Sequence, residues 1–131
     1  MFTVTAREFL KKPLIARMST VDPTGYPHTV PVWFMLDGDD IVIISDRNTR
    51  KVAHLRSNPR GAVTIGGDLA DRDGYLVKGM FTIEPDPERA WVRKFVYHYE
   101  SPEQAEKDLT AWADLDRVVL RLRPEVVLKV M

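Results

Sequence analysis

The stretch Ile41–Pro59, IVIISDRNTRKVAHLRSNP, determines how we interpret this chain. A β-branched apolar run ends at Ser45, a short polar turn follows, and Thr49-Arg50-Lys51 opens a segment with helical spacing of its apolar residues. This order places a hydroxyl, a guanidinium and an ammonium group at the start of a helix. Helix N-termini present unpaired N–H groups and the positive end of the helix dipole. The stretch therefore predicts a binding site for a phosphate-bearing ligand.

Composition limits the classes of protein to which the chain can belong. Nineteen basic residues balance nineteen acidic ones, so the overall charge gives no reason to expect nucleic acid or an anionic membrane as a partner. The absence of cysteine excludes disulfides, thiolate metal sites and cysteine nucleophiles. No apolar run approaches the roughly 20 residues of a membrane span, and the N-terminus has no signal-peptide core. We expect one cytoplasmic domain over residues 1–131.

Strand signals dominate the sequence after a short N-terminal helix. That helix is predicted to have Thr5 as its N-cap, with Glu8 completing a capping box, and to end before Pro13. The expected strands are residues 15–20, 28–36, 41–45, 61–65, 75–84 and 117–123, with a last short strand over 126–131 after an interruption at Pro124. The expected further helices are residues 49–57, 87–99 and 102–113. This pattern predicts a mainly β protein, a small barrel with a few helices.

Two strand features carry positional information. Pro31 has no N–H for a sheet ladder, so its strand is expected to lie at an edge, to contain a bulge or to face a ligand. Residues 41–44 are apolar at four successive positions, which indicates burial on both faces. A second subunit could supply the outer cover. Turns are expected at Asp22–Gly25 and Asp37–Asp40.

Four pieces of the sequence, in this order and spacing, resemble the pyridoxamine 5'-phosphate oxidase-like family of FMN-binding split-barrel proteins. They are Ala16–His28, Val30–Phe34, Thr49–Val52 with Leu55 and Asn58-Pro59-Arg60, and Val77-Lys78-Gly79. The resemblance covers about Leu14 to Glu84. It implies a six-stranded antiparallel split β-barrel, flavin-reductase/oxidase-like, that forms a homodimer. It also implies FMN, or the related deazaflavin coenzyme, bound in grooves at the dimer interface.

The resemblance further implies which residues bind the coenzyme. Thr29, Val30, Pro31 and Val32 would face the isoalloxazine and ribityl portion, Ser45 would lie near the ribityl chain or phosphate, and Thr49, Arg50 and Lys51 would hold the phosphate. Their chemistry fits this role, since arginine offers a planar fork, lysine a point charge and threonine a hydroxyl group. The other wall would come from the partner subunit. We assign no catalytic acid or base, because the ring of a flavin carries the redox chemistry.

Three functions remain open. The first is an FMN-dependent oxidoreductase acting on a small molecule, although the tail Arg121–Met131 departs from pyridoxamine phosphate oxidase itself and argues against that substrate. The second uses the deazaflavin (F-420 type) coenzyme on the same fold, with Arg47, Arg56 and Lys78 as candidate additional cations. The third is a non-enzymatic flavin- or haem-binding module, with His98 as the candidate haem ligand.

The remaining chemistry-bearing residues favour structural roles. No metal site is predicted, because the three histidines have no second ligand at metal-like spacing and the aspartates of residues 68–73 do not match a calcium loop. Trp91, Phe95, Tyr99 and Trp112 recur at helical spacings and predict a packed face, with a lid over a substrate pocket as the alternative.

Overall fold

The computed structural model describes residues 1–130 and contains one seven-stranded antiparallel sheet with four α-helices. The strands are β1 (Ile15–Val21), β2 (Pro27–Trp33), β3 (Met35–Asp37), β4 (Asp40–Asp46), β5 (Arg60–Gly66), β6 (Gly74–Glu84) and β7 (Arg117–Lys129). The helices are α1 (Val4–Leu10), α2 (Arg50–Ser57), α3 (Ala90–Tyr99) and α4 (Pro102–Ala111), with a 3₁₀ turn at Pro87–Arg89. The strand order β2-β1-β5-β6-β7-β4-β3 curls into a half-barrel in which β2 approaches β4. The predicted mainly β split-barrel fold is confirmed.

The seven strands are one more than the six that the resemblance implied. The expected strand over residues 28–36 is two strands, β2 and β3, and the two expected over 117–123 and 126–131 are the single strand β7. Tyr99 in α3 causes the break at Phe34. The Tyr99 hydroxyl accepts a hydrogen bond from Phe34 N at 2.9 Å and lies 2.9 Å from Phe34 O and 2.6 Å from Leu14 O, to which it can donate. Since both main-chain groups of Phe34 bond to a side chain, the sheet ladder cannot continue through this residue.

The inner face of the half-barrel holds the main core. Alternation along β1 and β4 directs Ala16, Met18, Ile41 and Ile43 inward, where all four are fully buried. Helix α2 closes this face with the side chains of its apolar stripe, Val52 and Leu55. Each such side chain contributes roughly 1.5–3 kcal/mol on burial, so this core fixes the position of α2 at the end of β4.

The apolar run of β4 is buried on both faces, as predicted, but its outer cover is α3 of the same chain. Val42 on the outer face packs with Phe95 of α3 and Val119 of β7. The connection between β6 and β7 supplies this helix, so a second subunit is not what covers β4. A separate cluster of Val92, Val96, Ala105 and Leu109 packs α3 against α4.

The prediction that Pro124 interrupts the last strand is wrong. β7 runs through Pro124 to Lys129, with a register shift against β6 between Lys78 and Gly79. Gly79 makes this possible, because a Cβ atom there would lie 2.0 Å from the carbonyl oxygen of Arg123. Met131, the end of the predicted last strand, lies outside the described residues.

Two predicted helix starts are also wrong. Thr3 is the N-cap of α1, with its hydroxyl accepting from Ala6 N at 3.0 Å, whereas Thr5 lies inside the helix. Burial of Ala6, Phe9 and Leu10 against the core sets this position. The helix expected from residue 87 begins as α3 at residue 90, because residues 88 and 89 have positive φ angles of 58° and 57°.

The structure confirms two local interpretations. β2 lies at an edge of the sheet, which accounts for Pro31. Asp22 organises the first turn, since its carboxylate accepts from the Thr24 and Tyr26 N–H groups at 2.9 and 3.0 Å, and Gly25 has a φ of 92°. Within residues 1–130, no helix combines the length and apolar character that a membrane crossing requires.

Candidate functional site

The junction of β4 and α2 brings together two hydroxyl groups that the sequence singled out. Ser45 is 4% exposed, and its Oγ donates to the carbonyl oxygen of Asp46 at 2.9 Å. Thr49 Oγ1 donates to the same carbonyl at 3.2 Å and lies 3.1 Å from Ser45 Oγ. These bonds hold the turn between strand and helix in one conformation and leave the oxygen lone pairs of both hydroxyls beside the start of α2.

The N-terminus of α2 has unused hydrogen-bonding capacity. Its N-cap Thr49 has an extended backbone, but the side chain makes no capping bond to the helix. In the described part of the chain, the main-chain N–H groups of Arg50, Lys51 and Val52 have no acceptor. The first turn also contains no acidic residue, so the positive end of the helix dipole has no compensating side chain there.

The two cations at this helix start have different environments. Arg50 is exposed, whereas Lys51 is half-buried. Burial lowers the pKa of the Lys51 ammonium, and the nearby Asp46 carboxylate acts in the opposite direction. Among residues 1–130, neither cation has a carboxylate within 4.0 Å. A partly desolvated ammonium without an ion-pair partner favours an anion at this position.

The four predicted residues of β2 do not share one surface. Val30 and Val32 point to the inner face of the sheet, and Thr29 and Pro31 point to the outer face, where Thr29 Oγ1 lies 2.8 Å from Ser19 Oγ. Because β2 is an edge strand, one flat ligand reaches all four only along the free edge of the strand. The structure thus places these residues together as an edge rather than as a wall.

A polar link between α2 and β1 was missed by the sequence analysis. His54 Nδ1 lies 2.9 Å from Oγ1 of the fully buried Thr20, and the His28 ring packs edge-on against His54 at 5.1 Å. Since Lys51 is three residues before His54 on the same helix face, this link also fixes where Lys51 lies. Thr20 and His54 are 34 residues apart, and no local signal joins them.

A groove of about 420 Å³ lies where β2 passes β4. Its lining residues are Ile15, Pro31, Val32, Trp33, Ile44, Trp112 and Arg117. Trp33 is held by Tyr99, with ring centroids 4.5 Å apart and the planes inclined by 4°. The groove therefore combines two predicted residues, Pro31 and Val32, with aromatic walls and one cation.

Arg117 connects this groove to the start of α2. Its Nε donates to the carboxylate of Asp46 at 2.8 Å, and its guanidinium carbon lies 4.9 Å from the centre of the Trp112 ring. The main-chain carbonyl of the same Asp46 accepts from Ser45 and Thr49. Arg117 was not singled out for binding, because its only local signal is a basic residue at the start of a strand, and Trp112 was singled out only for a packed face or a lid.

The four aromatic residues at helical spacing divide between two roles. Trp91, Phe95 and Tyr99 pack on Val42 and Val119, which confirms the packed face. Trp112 packs against the cluster between α3 and α4 and also borders the groove.

The remaining candidate residues have other partners or lie on other surfaces. Arg47 pairs with Asp116 at 2.9 Å, Arg56 is in the last turn of α2, and Lys78 is exposed on the outer face of β6. His98 borders a cavity of about 380 Å³ that it shares with the cations Arg7 and Lys11. No group of three or more metal-ligating side chains occurs within residues 1–130.

Comparison with known proteins gives one family and several related structures. A family model described as pyridoxamine 5'-phosphate oxidase matches residues 2–131. No curated protein matches the chain. A solved structure described as an F420 reductase is 26% identical, with 93% of this chain and 94% of that chain covered and a TM-score of 0.75.

Two further solved structures share the fold at lower identity. A Listeria innocua protein described as a candidate pyridoxamine 5'-phosphate oxidase is 21% identical, with 94% of this chain and 93% of that chain covered and a TM-score of 0.71. HupZ of Group A Streptococcus is 18% identical, with 99% and 94% covered and a TM-score of 0.71. At these identities the likeness is one of fold.

Proposed function

This chain belongs to the pyridoxamine 5'-phosphate oxidase family, and we propose that it is an oxidoreductase that binds FMN with the phosphate at the N-terminus of α2. The observation that carries the proposal is the half-buried Lys51, whose ammonium has no carboxylate partner in the described residues and which belongs to the first turn of α2, where three main-chain N–H groups are unbonded. When bound, the flavin supplies hydride transfer, and the protein supplies position, charge and exclusion of water.

The donor set at the start of α2 fits a phosphate group. A flavin phosphate has nearly two negative charges and several acceptor oxygens. Lys51 offers a point charge, Arg50 a planar fork and Thr49 a hydroxyl group, and three main-chain N–H groups are directed out of the helix end. Each charge-assisted hydrogen bond is worth about 1.5–3 kcal/mol, so two of them account for a large part of a micromolar affinity of about 8 kcal/mol.

A deazaflavin coenzyme is the second candidate, and the likeness to a structure described as an F420 reductase favours it. This coenzyme is more anionic beyond its first phosphate and needs additional cations. Of the three candidates, Arg47 is already paired with Asp116, and Arg56 and Lys78 lie on different elements, one in α2 and one in β6. The distribution of cations on the protein therefore favours FMN.

We also propose that the protein is a homodimer joined through the outer face of its sheet. Val126, Leu128 and Val130 alternate outward along the end of β7 and are 41–53% exposed, and the strand register places Leu76 of β6 beside Leu128. A contiguous exposed apolar surface of this kind is typical of an interface. Light scattering at micromolar concentration tests this: Val126→Glu with Leu128→Glu is expected to give a monomer, and a monomeric parent protein would contradict the proposal.

The direct test of the coenzyme is to identify the small molecule that copurifies. Mass spectrometry distinguishes FMN from the deazaflavin, and the absorbance spectrum gives an independent answer, because oxidised flavin has two visible bands and the deazaflavin a single band at shorter wavelength. Titration of FMN into Lys51→Met is expected to show an affinity about 10- to 100-fold below that of the parent protein.

Arg56→Met is the matched control for the Lys51 variant. It removes the same charge from the same helix, about 7 Å further along the axis. It is expected to change FMN affinity less than twofold. An equal loss of FMN affinity in the two variants would mean that the effect comes from the change in net charge alone. That result would refute the assignment of the phosphate to the first turn of α2.

A further inference from the structure

We propose that the groove between β2 and β4 is the substrate-binding site and takes a planar conjugated molecule with one carboxylate, which Arg117 binds. This inference rests on the proposed function, because the groove shares Pro31 and Val32 with the residues expected to contact the coenzyme. It assigns to this chain a substrate class and two residues, Trp112 and Arg117, for its recognition.

The shape and lining of the groove fit a flat apolar body. Its volume of about 420 Å³ falls within the usual range for small-molecule sites. Trp33 is fixed by its stacking on Tyr99, and Ile44 and Val32 continue the apolar lining. Because Trp33 is already held by the core, ligand binding does not have to order this ring, and less conformational entropy is lost.

Arg117 provides the carboxylate-binding group. Only its Nε is used, in the bond to Asp46, and its two terminal nitrogens have no acceptor within the described residues. The guanidinium packs on Trp112, and the side chain is 22% exposed, so the access of water to the fork is limited. Arg117 borders both the groove and a smaller cavity of about 160 Å³. Two parallel N–H donors match the two oxygens of a carboxylate.

The charges around the groove leave a net attraction for an anion. Asp46 is the carboxylate closest to Arg117, but Lys51 also lies within electrostatic reach of Asp46. The single charge of Asp46 therefore offsets only part of the two positive charges. No acidic residue is among those that line the groove itself, so Asp46, on the Nε side of Arg117, is the carboxylate that a bound anion would approach.

The chain contains a built-in control for this assignment. Asp46-Arg47 and Asp116-Arg117 face each other as two crossed ion pairs, Arg117 with Asp46 at 2.8 Å and Arg47 with Asp116 at 2.9 Å. The pairs use the same residue types and join the same two segments. They differ in surroundings, because Arg117 lines the groove whereas the side chain of Arg47 is 44% exposed and does not.

The test uses coenzyme-free full-length protein and two probes, 2-naphthoate and the uncharged naphthalene-2-carboxamide. Replacement of Trp91, which lies outside the groove, by Phe leaves Trp33 and Trp112 as the only tryptophans, so quenching of tryptophan fluorescence reports on the groove. We expect 2-naphthoate to bind at least 10-fold more tightly than the carboxamide. Arg117→Gln should remove this preference, and Arg47→Gln should preserve it.

A stable variant is available if Arg117→Gln does not fold. Arg117→Lys keeps the charge but loses the fork, and it should weaken 2-naphthoate several-fold without changing binding of the carboxamide. Equal affinities for the two probes in the parent protein, absence of quenching by either probe, or equal effects of the Arg117 and Arg47 variants would overturn the proposal.

Titration of FMN separates this proposal from the proposed function. If FMN and 2-naphthoate compete for one site, the groove holds the coenzyme ring, which refutes a substrate site there while supporting coenzyme binding. If FMN does not bind but 2-naphthoate binds through Arg117, the proposed function fails and the groove stands as a site for aromatic acids. Simultaneous binding of both supports the two proposals together.

Discussion

Arg121 and Lys51 are both cations with limited exposure, and the protein treats them in opposite ways. Arg121 lies within 2.8 to 3.3 Å of three carboxylates, those of Asp37, Asp40 and Glu84. Lys51 has no carboxylate this close among residues 1–130, and burial lowers its pKa. The first cation is satisfied within the chain, while the second has capacity for an external anion.

The contrast teaches how to separate structural from binding cations in a protein of neutral net charge. Counting arginines and lysines gives no information here, since acids and bases balance. What differs is whether the chain supplies the counter-charge. A desolvated cation with internal partners stabilises the fold, and one without them costs stability until a ligand arrives.

The largest expected effect concerns Lys51, the cation without an internal partner, and is a loss of FMN affinity. Arg50→Ala combined with Lys51→Ala removes two charge-assisted contacts to the phosphate, for a loss of about 4 kcal/mol or roughly 1000-fold in FMN affinity. The free energy of unfolding should not fall by more than about 0.5 kcal/mol, because neither cation has an internal partner to lose and removal of the half-buried charge relieves its desolvation cost. Isothermal titration and urea unfolding measure the two quantities, and unchanged FMN affinity would remove the phosphate site from α2.

The next largest effect concerns Arg121, the cation with internal partners, and is a loss of stability. Arg121→Met leaves three carboxylates close together without their common cation, so the free energy of unfolding should fall by about 2–3 kcal/mol. FMN affinity per folded molecule should not change. Lys107→Met is the control, since its pair with Glu103 is exposed and worth less than about 0.5 kcal/mol. Loss of FMN binding with unchanged stability in the Arg121 variant would contradict the distinction between Arg121 as a structural cation and Lys51 as a binding cation.

Tyr99 extends the comparison from a charged group to a neutral one with internal partners. Tyr99→Phe leaves Phe34 N–H without its partner, which should cost about 1–2 kcal/mol in urea unfolding. Burial raises the pKa of Tyr99 to about 12. Between pH 10 and 12 the unfolded residue is ionised while the folded one keeps its proton, so stability should decrease as pH rises through this range. The decrease should be smaller in Tyr99→Phe, and identical pH profiles would contradict the assignment.

The smallest expected effect concerns Glu100, a carboxyl group that also has an unpaired buried atom. Its Oε2 atom is buried without a hydrogen-bond partner, and a hydrogen bond with Asp108, together with burial, raises the pKa of Glu100 to about 7. The environment of this carboxyl group thus favours its protonated, neutral form. Between pH 4.5 and 7 the unfolded group ionises first, so stability should decline by roughly 1 kcal/mol as pH rises. Glu100→Gln should make stability less dependent on pH in this range. An unchanged dependence of stability on pH would contradict the raised pKa of Glu100.

The parts of the fold that the sequence predicted well are those set by neighbouring residues. Pro31 indicated an edge strand, Asp22 and Gly25 a turn, and Asn58 the end of α2. The errors in the strands involve partners distant in sequence. Tyr99 breaks a strand 65 residues before it, and Gly79 allows Pro124 to remain within β7.

The site follows the same division. The strand-turn-helix segment at Ser45–Lys51 was visible as a local pattern, and the structure places its hydroxyls and cations at one helix end. The groove was not visible, because Arg117 reaches it through pairing of β7 with β4, and Trp112 through the packing of α4 against α3. Periodicity identifies faces of elements, but it does not tell which faces meet across the fold.

The single hydroxyl of Tyr99 joins α3, the end of β2 and the segment before β1. Any loosening of the paired helices α3 and α4 must therefore release the Phe34 amide, and closure must protect it again. The rate of hydrogen exchange at the Phe34 amide would therefore report on opening motions of α3 and α4. It would also report on changes in the width of the groove between β2 and β4. The corner that interrupts the sheet thus provides a natural reporter of how the groove opens to solvent.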